Sequence, residues 1–247
     1  MRRALSAELF KLRTTRTTWA VTLGSLALVL LIVVLAAATG GFSGVDDPGG
    51  DLLEISGLVQ LFAMVIGILS VATEFRHGTI TPSLLAVPGR VRLVLAKLAC
   101  ALLAGALLGL AASGLAVAVG LPILSARDIG TGTGDTTVAE LVLGNMAACA
   151  LFAALGVGLG ALIRNQVGAI IGALGYLFVV EPLLGVIPGF EDVVQKWFPG
   201  GASAQTAGTS ALGDPLGQVP GGLLMAAYAA IFLIAGIAVL RRRDVSA

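Results

Sequence analysis

Hydrophobic residues along this chain fall into six long runs, which are separated by shorter connections richer in glycine, polar and charged residues. A helix rises about 1.5 Å per residue, so about 20 apolar residues cross a hydrocarbon core of about 30 Å. Each run has about this length, although the second and fifth are the least uniform. The pattern predicts an all-α, polytopic membrane protein with a single transmembrane domain over residues 1–247. The predicted spans are approximately residues 18–38, 52–72, 98–121, 141–163, 167–187 and 221–240.

Composition supports a membrane protein. The chain is 57% hydrophobic and 12% charged, and its mean hydropathy is +1.00. A protein this apolar cannot cover its surface with water-facing side chains. The first run follows basic residues, but it lacks a small-residue cleavage site and is longer than a signal-peptide core, so we expect it to remain in the mature protein.

Basic residues are distributed unevenly between the two predicted sides of the membrane. Of the 15 lysines and arginines, all but Arg127 and Lys196 fall on one side. Basic residues resist translocation, so this asymmetry predicts that both termini are cytoplasmic. The formal net charge is only +1, and no nucleic-acid partner is indicated.

Before the first span, Leu5, Leu9 and Leu12 recur at helical spacing among charged residues. This pattern predicts an amphipathic helix over residues 1–17 that lies on the inner membrane surface. Anionic lipid would attract its basic residues by about 1 kcal/mol each. The alternative is a solvated basic flank of the first span.

The longest outer connection is predicted at residues 188–220. Trp197 and Phe198 within it are typical of the membrane interface, so we predict a short interfacial helix there. Glycines four residues apart in the spans predict close helix packing, either within the chain or at a dimer face. These pairs are Gly105 and Gly109, Gly156 and Gly160, and Gly168 and Gly172.

Several classes of chemistry lack the residues that they need. No Gly-Lys pair occurs, so the chain has no P-loop for nucleotide hydrolysis. His77 is the single histidine, which excludes a two-histidine zinc motif. The sequence around Ser203 lacks the closing glycine of a nucleophile elbow. We therefore predict no catalytic residues, no metal site and no cofactor in this chain.

The acidic residue Glu181 lies deep inside a predicted span and is followed by Pro182. A carboxylate near the bilayer centre costs about 2.5 kcal/mol or more. The residue before a proline is disfavoured in a helix, so we expect the helix to end near Val180 and residues 183–187 to be re-entrant or broken. Glu181 and Pro182 are then a candidate outer gate or part of a substrate path, and the alternative is a simple polar helix end.

The most informative connection is the inner segment at residues 74–97, which begins Glu74-Phe75-Arg76-His77-Gly78-Thr79. Thr81 before Pro82 predicts the start of a short helix, and Pro88-Gly89 predicts its end. Its charged flanks suit charge-matched contact with a soluble domain. These flanks are Glu74 and Arg76 on one side and Arg90, Arg92 and Lys97 on the other. An ordinary basic loop is the alternative.

Together these segments resemble the permease subunits of type-2 ABC exporters, particularly the small six-span permeases of high-GC Gram-positive bacteria. The resemblance is carried by residues 6–19, 74–81 and 241–245, with further matches in the inner segment at Leu84, Leu85, Pro88, Arg90 and Lys97. It implies a surface helix before the first span and a coupling helix that contacts a separate ABC ATPase subunit. It also implies a second permease chain, a bacterial cell membrane, and ATP and Mg²⁺ bound by the partner.

By this resemblance, the residues that couple the chain to the ATPase are Glu74, Phe75, Arg76, Gly78, Thr79 and Arg90. A non-exporting binding or sensor module is an alternative function. An intramembrane enzyme is a weaker one, because the spans offer few polar residues beyond Glu181, Asn145, Asn165 and Gln166. The cargo is not named by the sequence, although apolar spans suit a lipidic or amphipathic compound better than a small ion.

Overall fold

The structure is a computed structural model that describes residues 2–79, 89–134, 136–210, 212 and 215–242. Within these residues it is helical and contains six segments that are long and apolar enough to cross a membrane. The all-α fold and the six predicted spans are therefore confirmed. The spans are Arg16–Thr39, Pro48–Arg76, Val91–Ser125, Val138–Ile163, Gln166–Gly185 and Gln218–Leu240.

Twelve α-helices and two π-helical turns build the described part of the chain. The helices are α1 (Arg2–Thr14), α2 (Arg16–Thr39), α3 (Pro48–Ser56), α4 (Val59–Arg76), α5 (Arg90–Leu115), α6 (Leu121–Ser125), α7 (Val138–Ile163), α8 (Gln166–Gly175), α9 (Glu181–Gly185), α10 (Glu191–Trp197), α11 (Pro199–Ala207) and α12 (Gln218–Arg242). The π-helical turns are Ala116–Gly120 and Tyr176–Val180. We call the end of the bundle at which α1 begins and α12 ends the terminal end, and the other the loop end.

The fourth span, α7, lies at the centre of the bundle and contacts α4, α5 and α12. Its N-terminus is a complete capping box, in which Thr137 accepts from the N–H of Glu140 and the Glu140 carboxylate accepts from the N–H of Thr137. A capping box satisfies backbone donors that a helix start otherwise leaves unpaired.

Glycines allow the central helices to approach closely. A side chain at Gly156 would collide with the Met64 carbonyl of α4, and one at Gly109 would lie 2.9 Å from the Asn145 carbonyl of α7. The glycine pairs of the third and fourth spans therefore pack within the chain. In the fifth span, by contrast, no described atom lies within 4 Å of a Cβ built at Gly172.

Both π-helical turns precede a proline. Pro122 follows the first turn by two residues, and Pro182 follows the second by two. A proline removes a backbone donor and clashes with the preceding turn, and a local π adjustment lets a membrane helix continue. The prediction that the fifth span ends near Val180 is thus wrong, because the N–H of Glu181 bonds to the Tyr176 carbonyl and the helix continues to Gly185.

Two short helices follow the fifth span at the loop end. The predicted helix near Trp197 is α10, while α11 was not predicted because its sequence, PGGASAQTA, has little helix propensity. Packing stabilises α11: Ala202 is fully buried, and Ser203 donates to the amide oxygen of Gln60 in α4.

Candidate functional site

The second span ends at the terminal end in a C-cap that favours glycine. The N–H of Gly78 donates to the Phe75 carbonyl at 3.4 Å, and the N–H of Thr79 donates to the Glu74 carbonyl at 2.9 Å. Gly78 has a φ of +66°. These are the two bonds and the left-handed residue of a Schellman motif. The motif fixes the direction in which the chain leaves α4.

Four charged side chains meet beneath α1 and form what we call the ion cluster: Glu8, Lys11, Glu74 and Lys97. The Lys97 ammonium donates to Glu8 at 2.9 Å, to Glu74 at 2.8 Å and to the Ser70 carbonyl at 2.8 Å. The Lys11 ammonium donates to the same two carboxylates, at 2.9 Å and 2.7 Å. The cluster therefore joins α1, α4 and α5.

The ion cluster differs from the expectation that Glu74 and Lys97 are exposed flanks of the inner segment. Lys97 is 2% exposed and Glu74 is 7% exposed. Buried ions are costly to desolvate, so they are found paired and hydrogen-bonded. Their charges hold helices of this chain together, and Arg76 and Thr79 are left exposed beside them.

Lys11 lies at the solvent-facing edge of the ion cluster. Partial burial alone lowers the pKa of an ammonium, but the hydrogen bonds and charges of Glu74 and Glu8 outweigh it. The pKa of Lys11 is therefore raised above its ordinary value of 10.5. Lys11 is therefore charged at neutral pH, and its ion pair with Glu74, which joins α1 to α4, is present at that pH.

A cavity of about 580 Å³ opens beside the ion cluster, between α1, the start of α2 and the end of α4. Its lining includes Glu74, Arg76, His77 and Thr79. Oε2 of Glu74 is buried and has no hydrogen-bond partner in the part of the chain that the structure describes. Three of the predicted coupling residues, Glu74, Arg76 and Thr79, thus line an open space at the terminal end.

Two contacts connect this region to the last two spans. The guanidinium of Arg164 lies over the ring of Phe75, 5.3 Å from its centroid, and also donates to the Val239 carbonyl at 2.8 Å. Arg76 donates to the side chain of Gln166 at 3.4 Å. A displacement of Phe75 or Arg76 would therefore reach the fifth and sixth spans as well as α4.

The predicted coupling residues Glu74, Phe75, Arg76, Gly78 and Thr79 are adjacent at the end of α4. Arg90 begins α5, but its side chain lies outside the described residues. The short helix predicted between Thr81 and Pro88 also lies outside them. The sequence analysis did not single out Glu8 and Lys11 as site residues. The available signal was helical spacing: Glu8 follows Ala4 by four residues and Lys11 follows Glu8 by three, which puts all three on one helical face.

The candidate outer gate lies near the loop end. Glu181 is 6% exposed, and its two carboxylate oxygens accept from the N–H of Gly200, at 3.2 Å and 3.1 Å. Pro182 is the second residue of α9. Glu181 is therefore closed off by α11 and does not face water.

The other polar residues of the spans serve packing and capping. Asn145 bonds to Ser56, Ser113 and Gln60 in a buried network. Asn165 instead accepts from the N–H of Gly168 and caps α8. Among the described residues no three histidines, cysteines or carboxylates group as a metal site.

Comparison with protein families matches residues 4–180 to the family described as ABC-2 family transporter protein. The chain belongs to this family. A comparison with curated proteins finds no match. The matched part of the ABC-2 permease contains the whole ion cluster and the Schellman motif, and it ends one residue before Glu181.

Family membership confirms the resemblance to type-2 ABC permeases and identifies a multi-pass membrane component of a transporter. It also implies association with an ABC ATPase subunit.

Proposed function

We propose that the ABC-2 permease is the membrane subunit of an ATP-driven exporter, and that its partner ATPase docks on residues 74–79 and the cavity beside them. The observation that supports the proposal is the ion cluster. It ties α1, α4 and α5 together immediately below the exposed side chains of Arg76, His77 and Thr79. A force applied to these side chains would reach three helices at once.

The chain would contribute mechanics and no chemistry. ATP-driven closure of the partner subunits would push on the end of α4 and on the segment that follows it. Because Lys97 pairs with Glu74 and Glu8, α5 and α1 would follow α4 as a unit. The π-helical turns of the third and fifth spans are natural points of bending, because their backbone bonding already departs from the α pattern.

The same proposal includes the membrane orientation and a second permease chain. The terminal end would be cytoplasmic, in a bacterial cell membrane, as the basic residues indicate. The first, fifth and sixth spans are the least buried of the six. The first exposes large side chains such as Leu31, and the fifth exposes Phe178. These surfaces would face lipid and a second permease chain, which together would enclose the path.

Purification from native membranes in mild detergent tests the proposal. We expect a P-loop ATPase in stoichiometric amount, and we expect Arg76→Glu or Gly78→Pro to remove it and to abolish export while membrane insertion is retained. Arg127→Glu is the matched control, because Arg127 is exposed at the loop end and does not line the cavity. A folded preparation without an ATPase would contradict the proposal.

The direction of transport needs a second assay. In inside-out vesicles, the cytoplasmic face is exposed to added ATP, so an exporter accumulates its substrate. ATP-dependent accumulation would support export, whereas binding without accumulation would favour a sensor or binding module.

A further inference from the structure

A cleft runs between the fifth and sixth spans, with the fourth span behind it. Helix α8 packs against α4 and α7, and α12 packs against α7 and α11. Among the described helices, α8 and α12 flank α7 without packing extensively on each other. The cleft contains a cavity of about 370 Å³. The fifth and sixth spans are among the least buried, so the cavity lies close to the surface that faces the membrane.

The walls of this cavity are apolar. The described residues that line it are all uncharged, and most are aliphatic or aromatic, such as Leu155 and Phe232. Two tyrosines contribute hydroxyl groups, Tyr176 and Tyr228, and that of Tyr228 already donates to the Trp197 carbonyl at 2.9 Å. An apolar cavity of about 150 Å³ stays dry and takes up an apolar molecule instead of water. A larger cavity of the same kind therefore suits a hydrocarbon.

The cavity extends along α7 over a distance close to the depth of one membrane leaflet. Leu155, Leu159 and Ile163 line it at a spacing of four residues, which puts them on one face of the helix. The helix rises about 12 Å from the first of them to the last, and half of a hydrocarbon core of about 30 Å is about 15 Å. Ile163 is exposed at the end of α7, and the polar residues Arg164 and Asn165 follow it. The cavity thus reaches from the edge of the leaflet at the terminal end toward the membrane centre.

The cavity is closed on the side of the loop end. Pro199, the first residue of α11, and Tyr228 of α12 line it there. The hydrogen bond from the Tyr228 hydroxyl to the Trp197 carbonyl holds α12 to the junction of α10 and α11. Gly172, by contrast, is an exposed residue of the lining. A hydrocarbon chain therefore has access from the leaflet at the terminal end, between α8 and α12.

We propose that this cavity binds one acyl chain of a phospholipid from the leaflet at the terminal end. The chain would lie along α7 against Leu155, Leu159 and Ile163, and the headgroup would stay at the membrane surface beside the end of α7. Uncharged, apolar walls favour a hydrocarbon over a polar or charged molecule, which would lose its hydration without gaining a partner. The lipid would fill space that helix packing leaves open. This binding does not depend on the proposed export or on the ATPase.

A phospholipid that carries a diazirine at the end of one acyl chain tests the proposal. The purified chain is reconstituted, without ATPase or nucleotide, in phosphatidylcholine vesicles that contain a small fraction of this lipid. After irradiation, the labelled residues are mapped by peptide mass spectrometry. We expect labelling of residues 155–159 and 172–177 in excess of that at Leu31 and Leu107, which are exposed on spans one and three outside the cavity. Equal labelling of all these positions would overturn the proposal, because it would show only general contact with the membrane.

Gly172→Leu is the variant that fills the cavity. Gly172 lines it, and a Cβ built there has no described atom within 4 Å. The leucine side chain would exclude roughly two or more methylene groups of the acyl chain, so labelling of residues 155–159 should fall by about tenfold or more. Unchanged labelling of these residues in Gly172→Leu would overturn the proposal.

Gly175→Leu is the matched control. Gly175 also has open space beside it but does not line the cavity, so labelling should equal that of the unaltered protein. If Gly172→Leu does not insert into the membrane, Leu159→Trp narrows the same cavity from α7 and decides the question by the same readout. The assay contains no partner subunit, so its outcome is independent of whether an ATPase co-purifies.

Discussion

Lys97 of the third span and Glu74 of the second form an ion pair of 2.8 Å, and their side chains are 1% and 9% exposed. Glu8 of α1 binds the same ammonium at 2.9 Å. Three helices therefore meet at one buried cation. This junction lies next to the exposed residues that we propose as the docking site, which makes its integrity a condition for transmitting movement.

Removal of the central cation should destabilise the protein. In Lys97→Met, the carboxylates of Glu8 and Glu74 lose the buried one of their two shared cations, and breaking a buried ion pair typically costs about 3–5 kcal/mol. We expect the midpoint of thermal unfolding to fall by roughly 10 °C. A thiol-reactive dye measures it, because Cys100 and Cys149 are both free and buried and react only when the fold opens.

Arg92→Met is the control for this substitution, since Arg92 lies exposed on the same helix and should leave the midpoint nearly unchanged. The additional changes Glu8→Gln and Glu74→Gln should restore part of the loss in Lys97→Met, because the two buried carboxylates are then neutral amides and the remaining charge, that of Lys11, reaches solvent. Equal midpoints for Lys97→Met and the unaltered protein would contradict the assigned role of the ion cluster.

The pKa of Lys11 should lie above 10.5, because hydrogen bonds to Glu74 and Glu8 outweigh its partial burial. A raised pKa means that this contact adds stability below pH 10.5 and loses it as the pH rises through the higher value. The chain has three lysines, Lys11, Lys97 and Lys196. Carbon-13 methylation of the lysines, assigned by Lys→Arg variants, allows Lys11 to be titrated by NMR.

Glu74→Gln is the informative comparison for that titration. It removes one acceptor and one negative charge, so the Lys11 signal should titrate at lower pH than in the unaltered protein. An identical titration in both proteins would mean that Lys11 does not contact Glu74.

The six spans were predictable because their hydrophobicity is continuous over the thickness of a membrane. The predicted boundaries were less accurate. The second span begins at Pro48 and not at residue 52, and the third begins at Val91 and not at residue 98. A polar or basic residue near a helix end interrupts the hydrophobic run without ending the helix. The course of the chain at Pro182 was predicted wrongly. A π-helical turn depends on how neighbouring helices accommodate the proline, and local sequence rules do not contain that information.

Close packing of the second and fourth spans should be sensitive to a single methyl group. Gly156→Ala places a Cβ against the Met64 carbonyl, and such overpacking typically costs about 1–3 kcal/mol. We expect a lower unfolding midpoint in the thiol-dye assay. Gly172→Ala is a matched change in the fifth span, where the Cβ meets open space, so its midpoint should be equal or slightly higher.

Equal unfolding midpoints for Gly156→Ala and Gly172→Ala would contradict the helix packing described for the fourth span.

Gly78 should tolerate asparagine better than alanine. Its φ of +66° is costly for a residue with a Cβ, by about 1–2 kcal/mol, but asparagine adopts this region more readily. No described atom lies within 4 Å of a Cβ at this position, so the effect is conformational and not steric. We expect ATPase recovery to fall in the order Gly78, Gly78→Asn, Gly78→Ala, measured by co-purification at equal permease yield.

If Gly78→Ala recovers as much ATPase as the unaltered protein does, the Schellman motif does not position the docking site.

The candidate site was predictable in part. The segment at residues 74–79 stood out because charged residues and a glycine interrupt two apolar runs. The sequence did not reveal that Glu74 and Lys97 face each other, because their 23-residue separation gives no distance between side chains on different helices. The leucine spacing in α1 similarly indicated an apolar face but not the burial of Glu8, which depends on its partner in α5.

Photo-crosslinking to the partner tests the central claim most directly. Benzoylphenylalanine replaces Thr79, which is exposed beside the cavity, or Ser43, which is exposed at the loop end, and native membranes are irradiated before purification. The account predicts a crosslink to an ABC ATPase subunit from position 79 and none from position 43. A crosslink from position 43 alone, or no ATPase crosslink from position 79 in a correctly inserted protein, would contradict it.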